Sequence, residues 1–299
     1  MADSSWVDRT LYPFESKWFD VDHKTLHYID EGSGEPVIFV HNFPTWSFMF
    51  RDMIRGLSPN FRCIAVDNLG FGLSDKPTAT TYRPEKMAEY LNALIQHLQL
   101  ENITFITCGI GTPIGLSYAL DHPHNIRHIV VINGFMWSLK GNADAEKVSR
   151  MAQGVLGKWA YLKWNLPTKV ILKMMIRDRS RFTKDVHRHY VLPFADKERR
   201  HAPRGYAQAL IGSSPWFQSL WDRREDIKDI PSLLLWGMGD RTFGEHALSK
   251  WRDLWPEAKV MRFKNNGHFL AEEQGSALVP EVTLLLTDTN YLPTKTVDV

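Results

Sequence analysis

Apolar, β-branched runs of five or six residues recur along the chain at 36–40, 61–66, 103–107, 128–132, 232–236 and 258–263. Bounded by turn-forming residues and showing little polar alternation, they predict strands buried on both faces of a parallel sheet. Segments with helical spacing fall between them, at 46–57, 84–100, 113–122, 246–255 and 279–286. This alternation predicts a doubly wound α/β sheet with helices on both faces. Between Phe135 and Asp226 it stops, and a Trp-, Met- and Arg-rich region with helical spacing takes its place. The reading is therefore a core formed by 1–135 and 226–299, with 136–225 inserted as a helical cap. The last dozen residues are expected to be loose. Sheets of this kind carry their sites at the carboxyl ends of the strands, where a cap would cover them.

Composition adds bounds. A chain of 299 residues with 43% apolar and 12% aromatic content can bury a large core. No apolar run approaches the roughly 20 residues that span a bilayer, and the opening stretch lacks the basic start and apolar middle of an export signal. The two cysteines, Cys63 and Cys108, each sit in an apolar strand-like run and read as reduced core thiols. The expectation is a cytoplasmic protein with no membrane partner. The formal charge of +2 hides an asymmetry, because 136–225 holds 18 Lys and Arg against 8 Asp and Glu. A basic middle segment would attract an anionic substrate or an acidic carrier protein, although a solvated helical surface gives the same count. That charge alone is no nucleic-acid signature, the histidines lack metal-ligand spacing, and the glycine loops lack a dinucleotide fingerprint. No metal, cofactor or nucleic-acid partner is expected, and the oligomeric state is not readable.

Four strand-end motifs carry the chemistry. His41-Asn42-Phe43-Pro44 follows the first apolar strand, where an α/β-hydrolase fold presents a backbone N–H to a developing oxyanion. Asp67-Asn68-Leu69-Gly70-Phe71-Gly72 follows the second, with glycines for a tight reversal but not the spacing of a phosphate loop. Thr107-Cys108-Gly109-Ile110-Gly111-Thr112 is a strand-turn-helix junction with the small residues of a nucleophile elbow, and its central residue is Gly109. Taking Cys108 as the nucleophile shifts the frame by one and puts branched Ile110 where a small residue is needed. Last come Trp236-Gly237-Met238-Gly239-Asp240 and Asn266-Gly267-His268-Phe269, in the order elbow, acid, histidine that this fold uses.

At this point the chain resembles the haloalkane dehalogenase family. Pro44-Thr45-Trp46-Ser47, Ser74-Asp75-Lys76-Pro77, Gly115-Leu116-Ser117-Tyr118-Ala119, Leu235-Trp236-Gly237-Met238 and Gly267-His268-Phe269 carry the likeness, with cap phrases such as His187-Arg188-His189-Tyr190. The resemblance implies an elbow carboxylate attacking a carbon–halogen bond, a neighbouring Trp together with a first-loop Asn or a cap Trp holding the halide, and a His–acid pair hydrolysing the ester; the cap aromatic is not placed among Trp137, Trp159 and Trp164, which also read as core residues. Carried over, the elbow carboxylate becomes Gly109, the adjacent Trp becomes Ile110 and the first-loop Asn becomes Phe43. The loop's usual Gly becomes Asn42, and the His before the nucleophile becomes Cys108. After the earlier strand stands Asn133 rather than an acid, which leaves Asp240. Five changes in two loops imply natural divergence, and dehalogenation by the family mechanism is not expected.

Three capabilities remain on this reading. Asp240 fixes the tautomer of His268, leaving Nε2 as a base. The N–H groups of Phe43 and Ile110 form an oxyanion hole that does not depend on side-chain identity. The glycine vacates room for water or substrate under His268, in a pocket drawn from His41, Asn42, Cys108, Asn133 and Trp137. The leading expectation is general-base chemistry without a covalent intermediate, of lyase, cyclisation or cofactor-free oxygenation type, on a small hydrophobic substrate that is anionic or carrier-bound if the basic middle contributes. The alternatives are direct hydrolysis by a water near Gly109 and a non-catalytic binding protein. General-base action implies that Gly109→Ala leaves much of the turnover while His268→Ala abolishes it.

Overall fold

In the computed structural model, which describes residues 4–287 and 296–299, nine strands form one sheet. They are β1 (Lys17–Val21), β2 (Lys24–Glu31), β3 (Pro36–Val40), β4 (Arg62–Val66), β5 (Ile103–Cys108), β6 (Ile126–Ile132), β7 (Ser232–Gly237), β8 (Lys259–Phe263) and β9 (Thr296–Asp298). Their spatial order is β1-β2-β4-β3-β5-β6-β7-β8-β9, antiparallel as far as β2/β4 and parallel from there on. The runs without polar interruption take the centre: every residue of β3, β5 and β7 is buried, as strands covered on both faces require. Register aligns their ends, with Val40 opposite Thr107, Cys108 opposite Ile132, and Gly237 opposite Phe263. The loops after β3, β5, β6, β7 and β8 therefore open on one edge.

Helices α1 (Arg51–Leu57), α2 (Pro84–His97) and α3 (Gly111–Asp121) connect the first strands. α2 buries Met87, Tyr90, Leu91, Leu94 and Ile95 at helical spacing and begins on a proline, whose missing N–H costs nothing in a first turn. α3 starts so close to β3 that a Cβ on Gly111 would run into the Val40 carbonyl, so only glycine fits there. Between β6 and β7 lie α4 (Ala143–Gln153), α5 (Val155–Leu162), α6 (Leu172–Met175), α7 (Lys184–Val191), α8 (His201–Gly212) and α9 (Ser214–Asp222), with no strand among these described residues. α10 (Glu245–Leu254), α11 (Leu270–Gln274) and α12 (Val279–Thr287) follow β7.

Three strands escape the hydrophobic pattern. β1 and β2 form an edge hairpin whose turn residues, Asp22 (φ 51°) and His23 (φ 57°), both adopt the left-handed conformation usually given to Asn-Gly. Without that turn signal and with one half-exposed face, the pair does not stand out. β9 has three exposed residues yet pairs with β8, so the expected looseness of the last dozen residues fails at 296–298, while 288–295 lie outside the described residues.

A buried charged cluster joins the helical insertion to the core. Both guanidinium nitrogens of Arg51 donate to the Glu272 carboxylate at 2.7 Å, and the Tyr190 hydroxyl donates to the same carboxylate. The three residues come from α1, α11 and α7, and the Arg51 and Glu272 side chains are only 5% and 2% exposed. Removing one charge strands the other in a low-dielectric interior. Glu272→Ala is expected to lower stability by about 3–5 kcal/mol, read as a shift in the urea unfolding midpoint.

Candidate functional site

Gly109 stands at the head of the turn between β5 and α3 with φ +53°, a conformation that disfavours a side chain. A Cβ placed there would overlap the carboxamide carbon, nitrogen and oxygen of Asn42. The space beneath His268 is thus not vacant, contrary to the expectation from the sequence. The side chain of residue 42, from the loop after β3, fills it.

The fit is chemical as well as steric. Oδ1 of Asn42 accepts from the backbone N–H of Phe43 at 2.8 Å and of Ile110 at 3.2 Å. These are the two donors expected to form the oxyanion hole, and each already has a partner. Nδ2 of Asn42 lies 2.6 Å from Nε2 of His268, whose Nδ1 lies 2.6 Å from Oδ2 of Asp240. Burial opposes ionisation of Asp240, but the His268 imidazole and its hydrogen bond, with the N–H groups of Phe243 and Thr242, hold the carboxyl below its ordinary value of 3.8. An ionised Asp240 can only accept, so Nδ1 of His268 carries the proton and Nε2 accepts from Asn42.

A second layer holds these groups in place. His41 donates from Nδ1 to the Asn42 carbonyl at 2.8 Å and accepts from the Asn68 N–H at Nε2. Burial depresses its pKa, in keeping with an acceptor nitrogen. Thr45 adds two further bonds to the Asn42 carbonyl. Asn133, at φ +43° after β6, donates to Asp240 Oδ2 at 3.2 Å and exchanges hydrogen bonds with both backbone groups of Gly237. The N–H of His268 donates to the carbonyl of Met175, which ties the histidine loop to the helical insertion.

Above Asn42 opens an apolar cavity of about 90 Å³, narrower than the ~300–1,000 Å³ of common ligand sites. Phe43, Ile110, Phe135 and Phe243 line it from the core side; Tyr161, Pro167, Ile171, Met175 and Leu210 come from the insertion. Of the residues assigned to the pocket from sequence, Asn42 lines it. His41 and Asn133 lie behind the wall as supports. Cys108 is wholly buried at the end of β5, and burial together with the Asp240 charge pushes its thiol pKa well up, so it supplies no thiolate. Trp137 is a correction: it packs edge-on to Trp221 at 5.0 Å and beside Trp251 in a separate aromatic cluster, because its large ring finds an apolar niche against α9 and α10. That Asn42 fills the site is missed by the sequence analysis; the available signal is the reciprocal pair, Asn42 where the resemblance implies a glycine and Gly109 where it implies a carboxylate.

A strand-turn-helix elbow, a paired acid and histidine after later strands, and a helical insertion before β7 make up the architecture of an α/β hydrolase. The family described as alpha/beta hydrolase fold matches residues 35–274. A cis-3-alkyl-4-alkyloxetan-2-one decarboxylase of Shewanella oneidensis is 30% identical over 295 residues, covering 96% of this chain and 92% of the relative. Haloalkane dehalogenase 2 of Mycobacterium tuberculosis is 31% identical over 273 residues, covering 89% and 93%. The solved structure of haloalkane dehalogenase DbeA from Bradyrhizobium elkani superposes with a TM-score of 0.80 at 22% identity, covering 91% of this chain and 99% of that one. The chain belongs to the haloalkane dehalogenase family of the α/β-hydrolase superfamily.

The overlap at residue 109 adds a stability effect to the expected outcome for turnover. Gly109→Ala should not be silent: a left-handed β-carbon pressed against Asn42 is expected to cost about 1–3 kcal/mol and to displace the carboxamide. Adding Asn42→Ala should recover part of that loss, which a double-mutant cycle on unfolding free energies measures. A carboxyl whose folded pKa is depressed stabilises the fold only while ionised. The Asp240 contribution is therefore complete above its ordinary 3.8 and vanishes as pH falls through its lower folded value, so Asp240→Asn should flatten that part of the acid-unfolding curve.

Proposed function

We propose that this protein is an enzyme that works without a covalent intermediate, using His268 as a general base on a small hydrophobic carbonyl compound under a helical cap formed by 136–225. The observation that supports this most directly is the Asn42 carboxamide, which behaves as an internal ligand. It offers a carbonyl oxygen to two backbone N–H groups and a hydrogen to an imidazole nitrogen. A carbonyl substrate with an acidic hydrogen on the neighbouring carbon makes the same two approaches. Its oxygen would replace Oδ1 between Phe43 and Ile110, and its C–H would face Nε2. The proton passes to Nε2, the C–H electron pair moves into the enolate, and the two N–H groups take up the charge on oxygen. Asp240 remains ionised and stabilises the imidazolium; the proton returns when the product forms.

Swinging Asn42 aside breaks three hydrogen bonds. A hydrocarbon cannot replace them, and each buried donor left unpaired costs about 1–3 kcal/mol, so the site selects ligands that carry an acceptor oxygen. The decarboxylase relative is named for a ring compound with a carbonyl and alkyl chains, which agrees in kind. Direct hydrolysis needs the same displacement of the carboxamide and, beyond it, a water seated beside the substrate near Gly109. Dehalogenation loses support: glycine cannot attack carbon, and Ile110 offers no N–H from its side chain to a halide.

A binding role is the second reading, favoured by the saturation of hole and base in the resting state. The test is exchange of α-hydrogen for deuterium in heavy water, followed by NMR over a panel of hydrophobic ketones, esters and four-membered lactones. Catalysed exchange or conversion should fall by about 10²–10⁴-fold in His268→Ala. Asn42→Ala should bind the same compounds more tightly, because the competing carboxamide is gone. Tight binding with no exchange, unaffected by His268→Ala, would replace the enzyme reading with the receptor.

A further inference from the structure

Nine large apolar side chains are well exposed among the described residues, and six of them, Val155, Leu156, Trp159, Trp164, Val170 and Met174, fall within one stretch of the insertion. The exposures are large: 83% for Leu156, 58% for Trp164 and 51% for Trp159. Isolated exposed apolar residues need no explanation, but a concentration of this kind on one segment marks an interaction surface. The charge of the same stretch is one-sided. From Lys147 to Arg177 the sequence contains seven Lys and Arg and no Asp or Glu. Lys158, Lys163, Lys169 and Lys173 are exposed among the apolar residues, and the Lys163 ammonium lies 4.6 Å from the centre of the Trp159 ring.

We propose that 155–174 docks onto an anionic phospholipid surface, lying in the interface without crossing it. Exposed Trp, Leu and Met beside Lys is the composition of interfacial helices: the apolar side chains enter the headgroup boundary and the ammonium groups stay with the phosphates. No helix among the described residues is long and apolar enough to cross a membrane. The charge decides between lipid and a second copy of this chain, since two such faces would meet cation against cation. The opposite side of this segment gives the surface a use. Tyr161, Pro167, Ile171 and Met175 face the cavity while Val170 and Met174 are exposed, so one segment walls the cavity with some residues and would touch the lipid that dissolves hydrophobic substrates with others. Charge alone makes the basic middle segment a solvated surface or a lure for an anionic substrate or acidic carrier, with no membrane partner; the exposed apolar residues interleaved with it are what change that expectation.

The proposal does not rest on any reaction at His268 and is tested by binding alone. The full chain is floated with vesicles of phosphatidylcholine, or of equal parts phosphatidylcholine and phosphatidylglycerol. It should bind the anionic vesicles, weakly or not at all the neutral ones, and less as salt rises. Leu156→Glu and Trp164→Glu should each weaken partitioning by about tenfold, and Lys169→Glu by about fivefold or more. All three sites are exposed, so the thermal unfolding midpoint should not change. Absence of the chain from anionic vesicles, or partitioning indifferent to all three substitutions, overturns the proposal. So does sedimentation showing a dimer that Leu156→Glu dissociates while vesicles bind nothing, because a second copy would then be the occupant.

Discussion

The carboxamide of Asn42 and the missing side chain of residue 109 occupy one volume, and the chemistry of the site follows from that exclusion. Two side chains cannot both stand beneath His268; the positive φ of the turn and the overlap with residue 42 leave that place to the loop after β3. A carboxamide suits it in a way a carboxylate would not. Ionised Asp240 fixes the proton on Nδ1 of His268, so Nε2 asks for a donor while the two backbone N–H groups ask for an acceptor. Asparagine meets both demands with one planar group. Aspartate could meet only the second without taking up a proton of its own.

The layers behind Asn42 serve this arrangement. His41 and Thr45 hold its carbonyl within the loop after β3, and Asn133 braces Asp240, which ties the end of β6 to the end of β7. These contacts fix the backbone of Asn42, and three hydrogen bonds of its own hold the carboxamide. The cavity above it is small and apolar while the carboxamide is in place, and withdrawal of the carboxamide would enlarge it and uncover its polar floor at the same moment. Space and hydrogen-bonding capacity are coupled through one rotamer.

Much of the fold was legible because it rests on local rules. Continuous apolar runs became the central strands within a residue or two, helical spacing between them became α1, α2, α3, α10 and α12, and the loss of alternation marked the helical stretch between β6 and β7. The β1–β2 hairpin escaped because Asp22 and His23 make its turn without the usual residues, and β9 because three exposed residues carry no pattern. Asp240 and His268 were legible from order and strand-end position, and the structure brings them within 2.6 Å. Asn42 was legible only as a departure. Its contacts reach residues 110 and 268, and no periodicity reports a side chain crossing from one loop into another's place. The signal that existed was volumetric: one position gained a side chain where the other lost one.

Met175 belongs to two structures at once. Its side chain is part of the cavity wall, and its carbonyl receives the N–H of His268. The wall of the cavity and the backbone of the residue that carries the imidazole therefore meet at one peptide, and a change of shape at Met175 cannot be made without reaching the loop of His268.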